Sequence, residues 1–430
     1  MAITTTINDK AGARSVTMNS AQKLLTVLMG KPLYVNIPQY ALTSSGTVFE
    51  DFENLTGWTG IVGTVESNTT EGEFRTGTQS VKFTTEVGSK AEATIPLSVN
   101  FGTAPRLRVS LYSEYGLDDW AAKLSSFRFY VYSGATYFTF SMSPGTPISS
   151  NFHFGWITFD AMPENWTNTG NDWTNVQDKI VIRITPQADQ QIICSLDEII
   201  LNPVHKPCVL MTFDDANESV YTYAYQYLKT KRARGTFYVI SDDIGTSPQV
   251  SSAQLIEMYN YGWSIGNHTS DHTNLTAVDE ATAVQKIADC KTALDLLGFT
   301  RSSVHIAYPF GAHNETVQRA AATAEMLTGR TTNSYGSNTV LSDKNYHLII
   351  SGELGTSMDL ATAKTAVDLA NSTGRVIIFY GHILAESVAA QTWAIADFYA
   401  LVDYIYGKGI PFLTINDYYD LQSAEKKVQI

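Results

Sequence analysis

The chain has 430 residues, too many for one ordinary domain; its 44% hydrophobic content is ample for buried cores, and 17% charged residues is low for a disordered chain. A formal net charge of −13 with no basic stretch excludes nucleic acid as a partner and disfavours anionic membrane surfaces. No run approaches the roughly 20 apolar residues of a membrane span, and Cys194, Cys208 and Cys290 are too few and too scattered for a disulfide framework.

Residues 1–45 read as an N-terminal arm. Ser20 could cap a short helix with Leu24, Leu25 and Leu28 on one face, ended by Gly30 and Pro32. So short a helix is marginal alone, so its apolar face is expected to pack on another chain or a larger assembly. The opening MAITTTINDKAGARS lacks a charged region followed by an apolar core, so no signal peptide is expected. The default location is then cytoplasmic, or carriage on a virion or similar particle that meets an extracellular glycan.

Residues 46–202 read as an all-β sandwich. Phe127–Ser133 and Lys179–Thr185 carry β-branched and aromatic residues at strand length, and Gly, Ser and Asn clusters punctuate the segment. The opening Phe49–Trp58 and the closing Ser195–Leu201 resemble the first and last strands of jelly-roll carbohydrate-binding modules. Trp58, Trp120, Trp156, Trp166 and Trp173 fall here, each more simply explained as core than as a sugar platform.

From residue 203 to 430 the texture changes. Apolar runs alternate with helical stretches: CVLMTF, a helix near 219–230, GTFYVI, a helix near 253–261, then VHIAYPF, RVIIFYGH and PFLTI. Such alternation implies a parallel sheet with outer helices, whose reactive residues gather at the C-terminal ends of the strands.

Four segments at predicted strand ends carry chemistry. Asp214 and Asp215 follow CVLMTF; as neighbours they would repel unless a positive group sits beside them, and a helix-capping turn is the simpler reading of the pair alone. His268 and His272, four apart, would lie on one face of a helical turn and could bind a single cation. Tyr308-Pro309-Phe310-Gly311 suits a turn whose backbone N–H groups enter a cleft. His382 ends the run Ile377–Gly381. Together, one carboxylate and two imidazoles suit a divalent metal, most naturally zinc, while a spare carboxylate and a separate histidine suit proton transfer.

TFDD, HTSDH, YPFG and a strand-end histidine, in this order and in a β/α context, resemble the polysaccharide deacetylase family with NodB homology (carbohydrate esterase family 4-like). The resemblance covers roughly residues 205–421. It implies an irregular (β/α) barrel after the sandwich, and deacetylation of an N-acetylated, or O-acetylated, polysaccharide such as a bacterial surface glycan. Carried over by motif, Asp214 is the catalytic base, Asp215, His268 and His272 are metal ligands, Thr269 steadies their loop, and the Phe310 N–H faces the oxyanion. His382 is the general acid, Tyr308 and Pro309 line the substrate site, and Ile410–Asp417 is similar to the closing strand.

Two departures stand out. Many members have Arg where this chain has Ala307, and its loss is expected to loosen the aim of Asp214. An acidic partner for His382 is not evident, although Asp343 lies in the right interval. Both departures leave open a rival reading, an inactive deacetylase scaffold that binds glycan.

Overall fold

Alternation along Leu124–Ser133 divides its residues between two faces: Phe127, Phe129 and Val131 enter a core while Arg128, Tyr130 and Tyr132 point the other way. The computed structural model describes residues 2–9, 12–19, 43–44 and, with short breaks, 46–143, 155–332 and 352–427. The expected helix after Ser20, together with Asp343, lies outside the described residues. Residues Ala2–Asp9 and Gly12–Asn19 pair as an antiparallel hairpin.

Two antiparallel sheets are built from residues 47–201. One runs in the order Thr167–Thr169, Thr136–Met142, Leu124–Ser133, Gln177–Pro186, Ala91–Val99, Thr59–Val62. The other runs Gly155–Ala161, Leu107–Ser113, Ile193–Leu201, Ser80–Thr84, Thr64–Asn68, with Thr47–Glu50 also pairing Ile193–Leu201. Both contribute to one core, where Phe127, Phe129 and Ile182 meet Val109, Leu111 and Phe83. Trp120 is buried and Trp58, Trp166 and Trp173 pack against this core, as a structural role requires.

The second unit has seven parallel strands: β1 (Cys208–Phe213), β2 (Thr236–Val239), β3 (Ser264–Asn267), β4 (His305–Ala307), β5 (Thr328–Arg330), β6 (Gly352–Glu353) and β7 (Val376–Gly381). Their order is β5-β4-β3-β2-β1-β7-β6. Every residue of β1 and of β7 is buried, as expected for strands covered on both faces. Helices fill the intervals. Ser252–Tyr261 starts at the Ser251 cap, completed by Gln254, and stops at left-handed Gly262. The segment expected to be a helix near 219–230 is a π-helical turn, Val220–Tyr225, that continues as Gln226–Thr230. The expected closing strand is reduced to one bridge between Phe412 and Val209, because Ile415–Lys427 turns helical directly afterwards.

Candidate active site

The C-terminal ends of five of the seven strands deliver the functional side chains. Asp214 and Asp215 follow β1, His268 follows β3, Pro309 to Gly311 follow β4, Arg330 ends β5, and His382 follows β7. The Asp214 N–H donates to the Gly381 carbonyl, which ties the end of β1 to the end of β7.

Asp215, His268 and His272 present ligand atoms all within 4.8 Å of one another, the one such cluster among the described residues. Asp215 Oδ1 lies 3.3 Å from His268 Nε2 and 3.5 Å from His272 Nε2. His268 Nδ1 donates to the Ala307 carbonyl at 2.7 Å, and this bond turns Nε2 towards the carboxylate. Burial works to raise the Asp215 carboxyl, but the contact with His268 and the charges of His268, His382 and His272 outweigh it and hold it at about 2. Burial and the neighbouring His268 depress His272, against the pull of Asp215 and Asp214. A carboxylate thus converges with two imidazole nitrogens, and with both imidazoles neutral a cation among the three would relieve the repulsion between their lone pairs. Two nitrogens and one oxygen fit a divalent metal of the zinc type.

The two histidines do not lie on a helical turn, as their spacing suggested. Thr269 and His272 both adopt left-handed backbone, with φ of 64° and 60°, and the tight turn brings the rings to 4.8 Å between centroids. The Thr269 N–H bonds to Asn267 Oδ1, which holds this loop. Asp215, Ala216 and Phe310 also have φ near 60°, so five of the eleven non-glycine residues with positive φ among the described residues gather here. Gly311 sits in the same loop at φ +66°, where any Cβ would collide with Thr332.

The missing positive charge is supplied from another strand. Arg330 is 0% exposed and its Nη2 donates to Asp214 Oδ1. Ala307 and Arg330 are register partners on β4 and β5, so the guanidinium starts one strand away from the expected position. Its plane lies 5.5 Å from the Tyr238 ring and 4.8 Å from the Tyr380 ring, which fix its direction. The expected loosening of Asp214 is thereby corrected. No local pattern marked Arg330, Tyr238 or Tyr380: the two tyrosines sit inside short apolar runs, and Arg330 lies in the polar stretch Thr328–Thr332, where one arginine reads as incidental.

His382 Nε2 lies 3.8 Å from Asp214 Oδ2, the oxygen not taken by Arg330, and His382 Nδ1 has no partner among the described residues. Phe310 is 64% exposed, with its ring 4.5 Å from that of His272. Tyr308 and Pro309, expected to touch substrate, are buried; Tyr308 is 0% exposed among Leu275, Ile306 and Val317. Their side chains shape the turn from beneath and leave the rim to Phe310.

Residues 202–328 match the family model for polysaccharide deacetylase. YxkH of Bacillus subtilis (strain 168), which is named as a putative polysaccharide deacetylase, is 34% identical over 125 residues, covering 29% of this chain and 44% of that protein. The poly-beta-1,6-N-acetyl-D-glucosamine N-deacetylase of Staphylococcus aureus (strain MRSA252) is 31% identical over 124 residues, or 26% of this chain and 42% of that protein. The chain thus spans less than half the length of these curated relatives. Among solved structures, the Streptococcus pyogenes deacetylase PplD in complex with acetate is 31% identical, with a TM-score of 0.28, over 29% of this chain and 56% of that one. The motif residues Asp214, Asp215, His268, His272 and Phe310 all fall inside the matched segment, and at residues 202–328 the chain carries a domain of the polysaccharide deacetylase family.

Proposed function

We propose that residues 203–430 form a metal-dependent hydrolase that removes acetyl groups from an N-acetylated polysaccharide. The observation that carries this reading is the Asp215, His268 and His272 triangle beside a second carboxylate, Asp214, held by Arg330 and faced by His382. Asp215, His268 and His272 would hold the cation, zinc by donor set. Such an ion supplies a polarised acetyl carbonyl and a more acidic water.

The chain's own residues do the rest. Arg330 occupies Asp214 Oδ1 and leaves Oδ2 to accept the proton of the attacking water. The Phe310 N–H is assigned to the carbonyl oxygen as it gains charge, and the exposed Phe310 ring to the sugar beside it. His382, with Nε2 on the Asp214 side, donates a proton to the departing amine. The S. aureus relative's name makes poly-β-1,6-N-acetylglucosamine the first substrate to try, and O-acetyl removal would use the same groups. The rival reading of an inactive scaffold drew its weight from Ala307 and from the missing acidic partner of His382; the Arg330–Asp214 pair answers the first, while His382 Nδ1 has no partner among the described residues.

Acetate release from acetylated polymers, measured with and without a chelator, tests the proposal. Release should stop with chelator, return with zinc, and fall by about 10²–10⁴ in Asp214→Asn. Release indifferent to both changes would refute it.

A further inference from the structure

The outward face of the sheet that contains Leu124–Ser133 forms a grid of three rows, fixed by strand register. Across the first row lie Ser141, Arg128, Arg183 and Glu92; across the second, Thr139, Tyr130, Val181 and Thr94; across the third, Thr169, Tyr137, Tyr132 and Lys179. The partners of these strands' inward residues form the core, so nothing in the sandwich interior requires this composition.

The first row is costly as a structural device. Arg128 and Arg183 stand directly opposite each other on antiparallel strands, where like charges destabilise the pairing. Both guanidiniums converge on one phenol: Arg183 Nη1 donates to Tyr130 Oη at 3.1 Å and Arg128 Nη1 donates to it at 3.3 Å. Arg128 Nε also donates to Ser141 Oγ at 3.2 Å. Arg183 Nε pairs with Glu92, the single carboxylate of the grid, and Glu92 is shared with Lys90 at 2.9 Å. Lys179 Nζ lies 4.8 Å above the Tyr132 ring, and Arg183 lies 4.8 Å above that of Tyr130. Among the described residues, a chain of net charge −13 thus gathers the three cations of the grid, with Lys90 beside them, against the one carboxylate of Glu92.

Beside the cations is an aromatic cluster. The Tyr132 and Tyr137 ring centroids are 4.9 Å apart and Tyr137 is 5.5 Å from Tyr130; Tyr130 is only 7% exposed, whereas Tyr132 and Tyr137 are half-exposed. Thr139, Ser141, Thr169 and Thr94 share the same three rows of the face. We propose that this face binds a polysaccharide that bears carboxylates, with an acidic sugar's carboxylate on Arg128 and Arg183 and a neighbouring ring on Tyr132 and Tyr137. Planar guanidiniums match a carboxylate's two oxygens, phenol faces match the C–H face of a sugar ring, and hydroxyls match its alcohols.

The inference does not rest on the deacetylase reading, because it concerns binding by residues outside that domain. Its test uses the full chain in titrations with polygalacturonate, with the same polymer methyl-esterified, and with poly(dT). Polygalacturonate should bind, the ester should bind at least about tenfold more weakly, and Arg128→Gln should weaken polygalacturonate by about tenfold. Arg128→Gln should also leave the melting temperature unchanged or raised, since it removes a like-charge pair; a purely structural arginine would lower it. Equal binding of acid and ester, wild-type binding by Arg128→Gln, no binding of polygalacturonate, or equal binding of poly(dT) would each overturn the proposal.

Discussion

Arg330 and Asp214 form a buried ion pair between the end of β5 and the end of β1, two strands that are not neighbours in the sheet. The pair gives the proposed base one committed oxygen and one free oxygen, which is what directional proton transfer needs.

Arg330→Met should lower kcat by about 10²-fold or more with a smaller change in KM, because it removes aim rather than substrate contact. It also strands a buried carboxylate, at a cost of about 3–5 kcal/mol, so melting temperature must be read alongside. Adding Ala307→Arg to Arg330→Met should restore part of kcat, since positions 307 and 330 are register partners. Steady-state kinetics on the three proteins decide it; wild-type kcat in Arg330→Met would show that the pair is structural only.

Zinc should raise the melting temperature of chelator-treated protein by relieving the crowded lone pairs of Asp215, His268 and His272. At 1,000-fold over its dissociation constant the ion contributes about 4 kcal/mol. Asp215→Asn and His272→Ala should abolish that shift, as differential scanning fluorimetry would report.

Phe310→Asn should keep the fold, because Asn accepts the left-handed backbone that position 310 requires. It removes the exposed ring, so KM for a long polymer should rise by about threefold to tenfold while KM for a single N-acetyl sugar moves little. Equal KM on the polymer would remove the ring from the sugar's path.

Acid should weaken the deacetylase domain through His305. Burial pulls its imidazole down to about 4, although the Asn416 contact raises it. The unfolded chain protonates this residue near 6.5, so the stability of the neutral buried form is complete above that pH. It is lost as pH falls from about 6.5 towards 4, by about 3 kcal/mol in total. His305→Asn should flatten denaturant midpoints across that window; an unchanged slope would assign the acid sensitivity elsewhere.

The parallel sheet was legible because β1 and β7 are continuous apolar runs, and the reactive positions because each motif stands where such a run stops. The charge on Asp214 was not legible. Ala307 and Arg330 are far apart in sequence and become neighbours only through parallel pairing. Spacing also misled at His268 and His272: four residues apart suits a helix, but left-handed Thr269 and His272 achieve the same convergence by a tighter path. Tyr308 looked exposed by association with its motif, yet strand alternation at the end of β4 sends it into the core.

Five residues in left-handed backbone, Asp215, Ala216, Thr269, His272 and Phe310, set a demand on the remainder of the domain. At about 1–2 kcal/mol each, their combined strain rivals the whole net stability of an ordinary domain. Core substitutions beneath the pocket, such as shortening Trp263 or Phe398, whose rings pack on Phe213, should therefore silence catalysis before they unfold the chain. The loops would spring towards relaxed geometry as soon as their clamp weakens, and transplanting the four motifs onto a softer scaffold would carry the residues across but not their arrangement.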